Sequence, residues 1–182
     1  MRKNVKKQLA LRVLSTAALL AMVSSIATAA FAEEYDLNKG SVTVETKDNG
    51  NTYVTQANTE TTDHLDTTGV TITSNGEQTS NTITVNTADN QTTNVTLQDV
   101  NIKEDQWSGG AAMTIKGAGD TEIELNGDNT LISGNYHAGL EKADDVSHGS
   151  LTIKDDKNNN GSDKAKDEDG DIGTLIAAGG YS

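Results

Sequence analysis

The sequence predicts an all-β chain folded as a right-handed parallel β-helix, a solenoid of about three coils behind an N-terminal β-hairpin cap. Three observations carry this. After position 32 the apolar residues come in short alternating runs separated by Gly, Asn and Asp, and no amphipathic helical run of useful length occurs. The pair Val95/Leu97 returns as Ile123/Leu125 and again as Leu151/Ile153, a step of 28 residues each time. Between these pairs, Val100-Asn101-Ile102 is answered by Thr130-Leu131-Ile132, and Ala112-Met113 by Gly139-Leu140 with a shift of one residue. Each period therefore holds three short strands. Stacking such periods buries a ladder of Val, Ile and Leu, which explains how a chain with 3% aromatic residues can form a core.

In chain order, residues 1–32 read as a secretory signal. Arg2, Lys3, Lys6, Lys7 and Arg12 form a positive start, and Val13 to Val23 an apolar stretch. That stretch falls short of the about 20 apolar residues that cross a bilayer, so no transmembrane span is expected in the mature chain. Ala30-Phe31-Ala32 fits an A-x-A cleavage site. Residues 33–80 are assigned to the cap and lead-in strands: Val42/Val44, the turn Asp48-Asn49-Gly50, and a return at Tyr53/Val54. The frequent threonines of the first half of the mature chain are expected at exposed strand positions, where a β-branched side chain fits the pleat. Residues 81–182 hold the coils, with strands expected at Ile83/Val85, Val95/Leu97, Val100/Ile102, Met113/Ile115, Ile123/Leu125, Leu131/Ile132, Leu151/Ile153 and Leu175/Ile176. The turn from Leu125 to Thr130 is short; the matching one, 154–173, is a long acidic loop before Thr174-Leu175-Ile176 resumes the pattern. The last apolar strand is followed by Gly179-Gly180-Tyr181-Ser182 with no cap, so a partner or further coils are expected at that end.

Composition excludes several functions. There is no cysteine, which removes disulfide scaffolds, thiolate zinc sites and thiol enzymes. Acidic residues outnumber basic ones 27 to 14, so no nucleic-acid partner is expected. Loss of the leader removes five basic residues and no acid, leaving nine lysines, no arginine and a charge of −18. With no proline, no L-P-x-T-G sorting signal lies in this sequence, so an anchor is expected to be non-covalent or outside it, and the expected location is secreted or cell-surface. No nucleophile elbow, phosphate loop or dinucleotide fingerprint occurs. His64, His137 and His148 lack the spacing of a transition-metal site.

The segments Asn94 to Ile102 (NVTLQDVNI), Thr121 to Ile132 (TEIELNGDNTLI), His137 to Lys142 (HAGLEK) and Gly149 to Ile153 (GSLTI) resemble exported bacterial parallel β-helix proteins described as carbohydrate-binding-domain proteins, within the pectate-lyase-like superfamily. The resemblance covers roughly residues 80 to 182 and implies a β-helix that binds a polysaccharide or cell-surface glycan. Family members commonly continue past a Gly-Gly pair into further glycine-rich coils, which this chain lacks. Lyases of the superfamily use calcium with an arginine or lysine base. Here arginine is gone from the mature chain and no lysine stands apart, so no enzyme is expected. Carboxylate pairs for glycoside hydrolysis arise by chance in so acidic a chain.

Two sets of residues are candidates for chemistry. Asp156, Asn158 and Asn160, followed by Gly161 and with Asp167 at the twelfth position, match the opening of a calcium loop, because a hard cation takes oxygen ligands from a flexible turn. Lys164 at a position that often ligates, and Asp instead of Glu at the end, depart from that pattern; a solvated acidic loop is the plainer reading. Trp107 lies in the turn Gln106-Trp107-Ser108-Gly109-Gly110, and Asn135, Tyr136 and His137 lie in the corresponding turn one coil later. Stacked in register, these turns would present aromatic rings to a sugar face with polar groups around them. The expected function is a secreted, non-catalytic, adhesin-like glycan-binding module; the alternative is a structural spacer whose repeats supply reach.

Overall fold

The computed structural model describes residues 32–107, 110–143, 149–155 and 173–180, and among these it is all β, with no helix. The expected leader, the acidic loop's Asp156, Asn158, Asn160 and Asp167, and His148 lie outside the described residues. No described helix is long and apolar enough to cross a membrane.

Among the described residues fifteen strands follow in order: β1 (Glu33–Asp36), β2 (Val42–Thr46), β3 (Thr52–Gln56), β4 (His64–Asp66), β5 (Val70–Thr73), β6 (Gln78–Thr79), β7 (Ile83–Thr87), β8 (Thr92–Gln98), β9 (Asn101–Lys103), β10 (Met113–Lys116), β11 (Asp120–Asn126), β12 (Asp128–Ile132), β13 (Leu140–Lys142), β14 (Leu151–Lys154) and β15 (Thr174–Ala178). They form three sheets. The first, β1-β5-β8-β11-β14, and the third, β15-β12-β9-β6, are wholly parallel; the second, β13-β10-β7-β2-β3-β4, is parallel as far as β2 and antiparallel beyond it. From β5 to β13 the chain visits the first, third and second sheets in that order three times. Parallel pairing already begins at β1, inside the segment read from sequence as lead-in. The hairpin joins β2 to β3 with Val44 opposite Val54, and β4 adds a third antiparallel strand at that edge.

The core is made of columns. In the first sheet Val70, Val95, Ile123 and Ile153 align, as do Tyr35, Ile72, Leu97 and Leu125. In the second, Val42, Ile83, Met113 and Leu140 align; in the third, Thr79, Ile102, Leu131 and Ala177. Alternation along each strand points these residues to one side, where one cluster buries Ile72, Ile83, Leu97, Ile102, Met113, Ile123 and Leu131 completely.

The registers correct the repeat. Val95 does face Ile123, 28 residues on, and Met113 faces Leu140. Ile123, however, pairs with Ile153 and not Leu151, which faces Thr121. Leu131 pairs with Ile102 and Ala177, a slip of one and two residues from the alignment drawn on Val100-Asn101-Ile102 and Thr174-Leu175-Ile176. The reason is that connection lengths differ from coil to coil, while the ladder needs only that like faces meet.

Threonine is also corrected. Thr43 and Thr92 are exposed as expected, but Thr46, Thr73, Thr87 and Thr93 are buried, as is Thr121 beyond them. At the corner between the second and first sheets their hydroxyls join in a chain: Thr93 donates to Thr46 at 2.6 Å, Thr87 lies 2.7 Å from Thr93, Thr121 lies 3.2 Å from Thr87, and Thr46 lies 2.9 Å from Thr52. A hydroxyl has one proton, so Thr93's donation to Thr46 obliges Thr87 to donate to Thr93 and Thr121 to Thr87. Thr93→Val keeps the shape but removes the acceptor of Thr87, whose proton can then turn only to Thr121, so the chain of hydroxyls is left one acceptor short. The expected cost is about 1–3 kcal/mol in urea unfolding, and no loss would show that the hydroxyls are only tolerated there.

The opposite corner, from first sheet to third, carries left-handed residues in successive coils: Asn75 (φ 53°), Asp99 (φ 49°) and Gly127 (φ 62°). Asn and Asp bear this conformation best after glycine. Asn129, buried just beyond, accepts from the Val100 N–H at 3.0 Å and donates to the carbonyls of Asn126, Gly127 and Thr174, tying three coils with one amide. On the outer surface the Ser150 N–H and hydroxyl donate to Asp120 Oδ1 at 2.7 and 2.8 Å and hold that carboxyl below its usual range.

Candidate functional site

The turn after β9 and the turn after β12 lie one above the other. The Glu104 N–H donates to the Ile132 carbonyl (3.0 Å), the Asn135 N–H to the Gln106 carbonyl (3.1 Å), and the Gly134 N–H to the Gly110 carbonyl (3.1 Å). The first turn is fixed by Asp105, whose Oδ1 accepts from the Trp107 N–H at 3.0 Å, a side-chain copy of a backbone turn. In the second, the Ser133 hydroxyl donates to the His137 carbonyl, and the Gly180 N–H donates to Ser133 Oγ at 3.0 Å, bringing the Gly179–Gly180 backbone over it.

The sequence-expected aromatics are where the turns place them. Trp107 is 80% exposed and Tyr136 82%, each one residue beyond the Gln106–Asn135 contact. Tyr136 sits at φ 66°, a backbone region that bulky residues rarely occupy and that is retained where the surroundings impose it. His137 is drawn elsewhere: its Nδ1 lies 2.8 Å from Glu141 Oε2, four residues on.

Beside these turns runs a groove of about 560 Å³, lined by Lys103, Glu104, Asp105, Gln106, Ile132, Ser133, Asn135 and the two glycines. Of the four expected contact residues only Asn135 lines it. Its Oδ1 is buried without a hydrogen-bond partner. Among the residues that line the groove, the lysine can donate and the carboxylates accept. Lys103, Glu104 and Asp105 were missed in the sequence; their only signal is a run of charged residues between a strand and the tryptophan turn.

Comparison with protein-family profiles, curated proteins and solved structures finds no significant match. The arrangement must be read on its own. Among the described residues no three His, Asp or Glu side chains converge as a metal-binding group. The four expected calcium ligands fall outside those residues; the nearest described carboxylate, Asp155, has Oδ2 accepting from the Gly173 N–H at 3.2 Å and a buried Oδ1 without a partner.

Proposed function

We propose that this chain is an exported right-handed parallel β-helix of about three complete coils with a hairpin cap, and that it serves at the cell surface as a non-catalytic module binding polysaccharide. The repeated passage through three sheets supports the architecture, and the resemblance of residues 80 to 182 to exported carbohydrate-binding β-helix proteins fits it. The observation that carries the ligand reading is the pair of stacked turns, which leaves Trp107 and Tyr136 about four-fifths exposed beside a groove lined by Asn135, Lys103, Glu104 and Asp105. An exposed ring covers the apolar face of a pyranose, and neighbouring amide, carboxylate and ammonium groups take its hydroxyls. Glu141 competes for His137, so its part in contact is secondary to Trp107, Asn135 and Tyr136. Calcium on Asp156, Asn158, Asn160 and Asp167 belongs to this proposal, bound by oxygen ligands of the acidic loop.

The test is retention of the exported protein on a panel of insoluble and immobilised polysaccharides, with calcium and again with a chelator. Trp107→Ala is expected to weaken retention about tenfold, as loss of one stacked ring removes roughly 1.4 kcal/mol. Full retention by that variant removes the aromatic turns from the site. Absence of retention by folded protein under every condition favours the spacer.

A further inference from the structure

Among the described residues the large apolar side chains left exposed are Leu65, Trp107, Tyr136, Ile153 and Ile176. Leu65 lies on β4, at the edge of the second sheet, and Ile153 on β14, where a core column of the first sheet ends. The other three belong to the third sheet: Trp107 and Tyr136 in the turns after β9 and β12, and Ile176 on β15, the neighbour of β12. Since Ile102, Leu131 and Ala177 form the inward column, Lys103, Ile132 and Ala178, which pair in register beside it, face outward, and so do Asn101, Thr130 and Ile176 in the row before. Ile132 and Ala178 are thus an apolar pair on the outer surface, and Ile176 extends it two residues back along β15. Ile132 also lines the groove beside the aromatic turns. The groove therefore has a polar wall at Lys103, Glu104 and Gln106 and an aliphatic wall that runs on to Ile176.

A lone exposed isoleucine carries no message, but an aliphatic strip continuous with a polar groove does. An unsubstituted hexose leaves such a strip without a partner, because its ring face goes to an aromatic side chain and its hydroxyls to donors and acceptors. An acetamido substituent uses every part of the lining: its methyl meets the aliphatic wall, its N–H needs an acceptor such as the Glu104 carboxylate, and its carbonyl needs a donor such as the Lys103 ammonium. Charge excludes the acidic glycans. The whole chain has a net charge of −13, and one lysine faces two carboxylates in the groove, so uronate and sulfate groups are repelled. A volume of about 560 Å³ suits a sugar unit with its substituent.

We infer that the glycan taken at the stacked turns is a neutral, N-acetylated one, with acetamido methyl groups on the strip formed by Ile132, Ala178 and Ile176. The inference rests on the glycan reading above and narrows it to a substrate class.

The test compares three soluble β-1,4-linked tetrasaccharides that share a backbone and differ at one substituent, built from N-acetylglucosamine, glucose or glucosamine. Trp107 is the sole tryptophan, so the intrinsic fluorescence of the exported protein reports on the site directly. The acetylated tetramer is expected to bind about tenfold more tightly than the glucose tetramer. In about 1 M sodium chloride, where the screening length is about 3 Å, the glucosamine tetramer should bind no better than the glucose one. Ile132→Thr and Ile176→Thr keep a β-branched residue on the strand and should each lower the preference for the acetylated sugar about threefold. Ile176 is exposed, so that variant decides the matter even if Ile132→Thr does not fold. Equal or reversed affinities for the acetylated and glucose tetramers, tightest binding of the glucosamine tetramer at high salt, or an unchanged preference in the folded variants overturns this inference and leaves the glycan reading standing. A response to none of the three sugars removes that reading, and this one with it.

Discussion

Replacing Gly119 by alanine is expected to destabilise the protein by about 3 kcal/mol or more, the upper end for an overpacked site. The position is not a flexible one that happens to be glycine. A Cβ there would lie 2.1 Å from the Ala88 carbonyl oxygen, 2.5 Å from the Thr87 methyl and 2.7 Å from the Gln91 carbonyl oxygen, all in the coil beneath. Two of those atoms are backbone held by hydrogen bonds: the Gln91 N–H donates to the Ala88 carbonyl at 3.2 Å, and the Asp120 N–H donates to the Gln91 carbonyl at 2.8 Å. Relief would mean lifting one coil off the other at the corner where the buried threonine hydroxyls meet. The same crowding recurs one coil on, where a Cβ on Gly149 would lie 1.8 Å from the Gly119 carbonyl oxygen. Thermal and urea unfolding of Gly119→Ala measure this; a loss below about 1 kcal/mol would mean that the coils are not pressed together there.

Leu97→Ala is expected to cost about 2–5 kcal/mol. Leu97 has no exposed surface and lies in the middle of its column, between Ile72 and Leu125. Removal of its isobutyl group opens a void that strands held on both sides cannot close, since each is fixed by its own ladder. The contrast is Ile176, which is 61% exposed although it sits in an aliphatic run that reads as core. Ile176→Ala should change stability by less than about 0.5 kcal/mol. Equal effects at the two positions in urea melts would break the assignment of inner and outer faces.

Much of this architecture was legible because aliphatic alternation is a direct consequence of the pleat. Val42/Val44, Ile83/Val85 and Val95/Leu97 could face one way only, and the strands lie where those pairs stand. What the pattern concealed were elements held by backbone pairing or by polar groups. β6 is Gln78–Thr79, with no aliphatic residue, and is held by its ladder to Asn101 and Ile102. β4 is His64-Leu65-Asp66, where Leu65 faces outward, 43% exposed, and the aspartate inward. The buried threonines were hidden for a related reason: composition cannot tell a hydroxyl meeting water from one meeting another hydroxyl.

The site divides in the same way. Turn residues such as Trp107 and Tyr136 were legible because Gly, Ser and Asn flank them and no apolar partner claims them. Lys103, Glu104 and Asp105 were not, since a charged run beside a strand has the same appearance whether it lines a groove or faces bulk water.

The antiparallel strands at the edge of the second sheet differ from every parallel pairing in how far along the chain their partners lie. Thr46 and Thr52 are six residues apart, whereas the parallel ladders join residues from 23 apart, as in Gln78 and Asn101, to 46 apart, as in Thr130 and Ile176. Closing a short loop is fast and closing a long one is slow, unless a formed edge is waiting to receive the strand. The hairpin supplies that first edge, and β7, β10 and β13 add to it in the order in which they are synthesised. A nascent chain thus makes each template before the segment that must read it, and the protein can assemble vectorially without ever needing its distant ends to find one another.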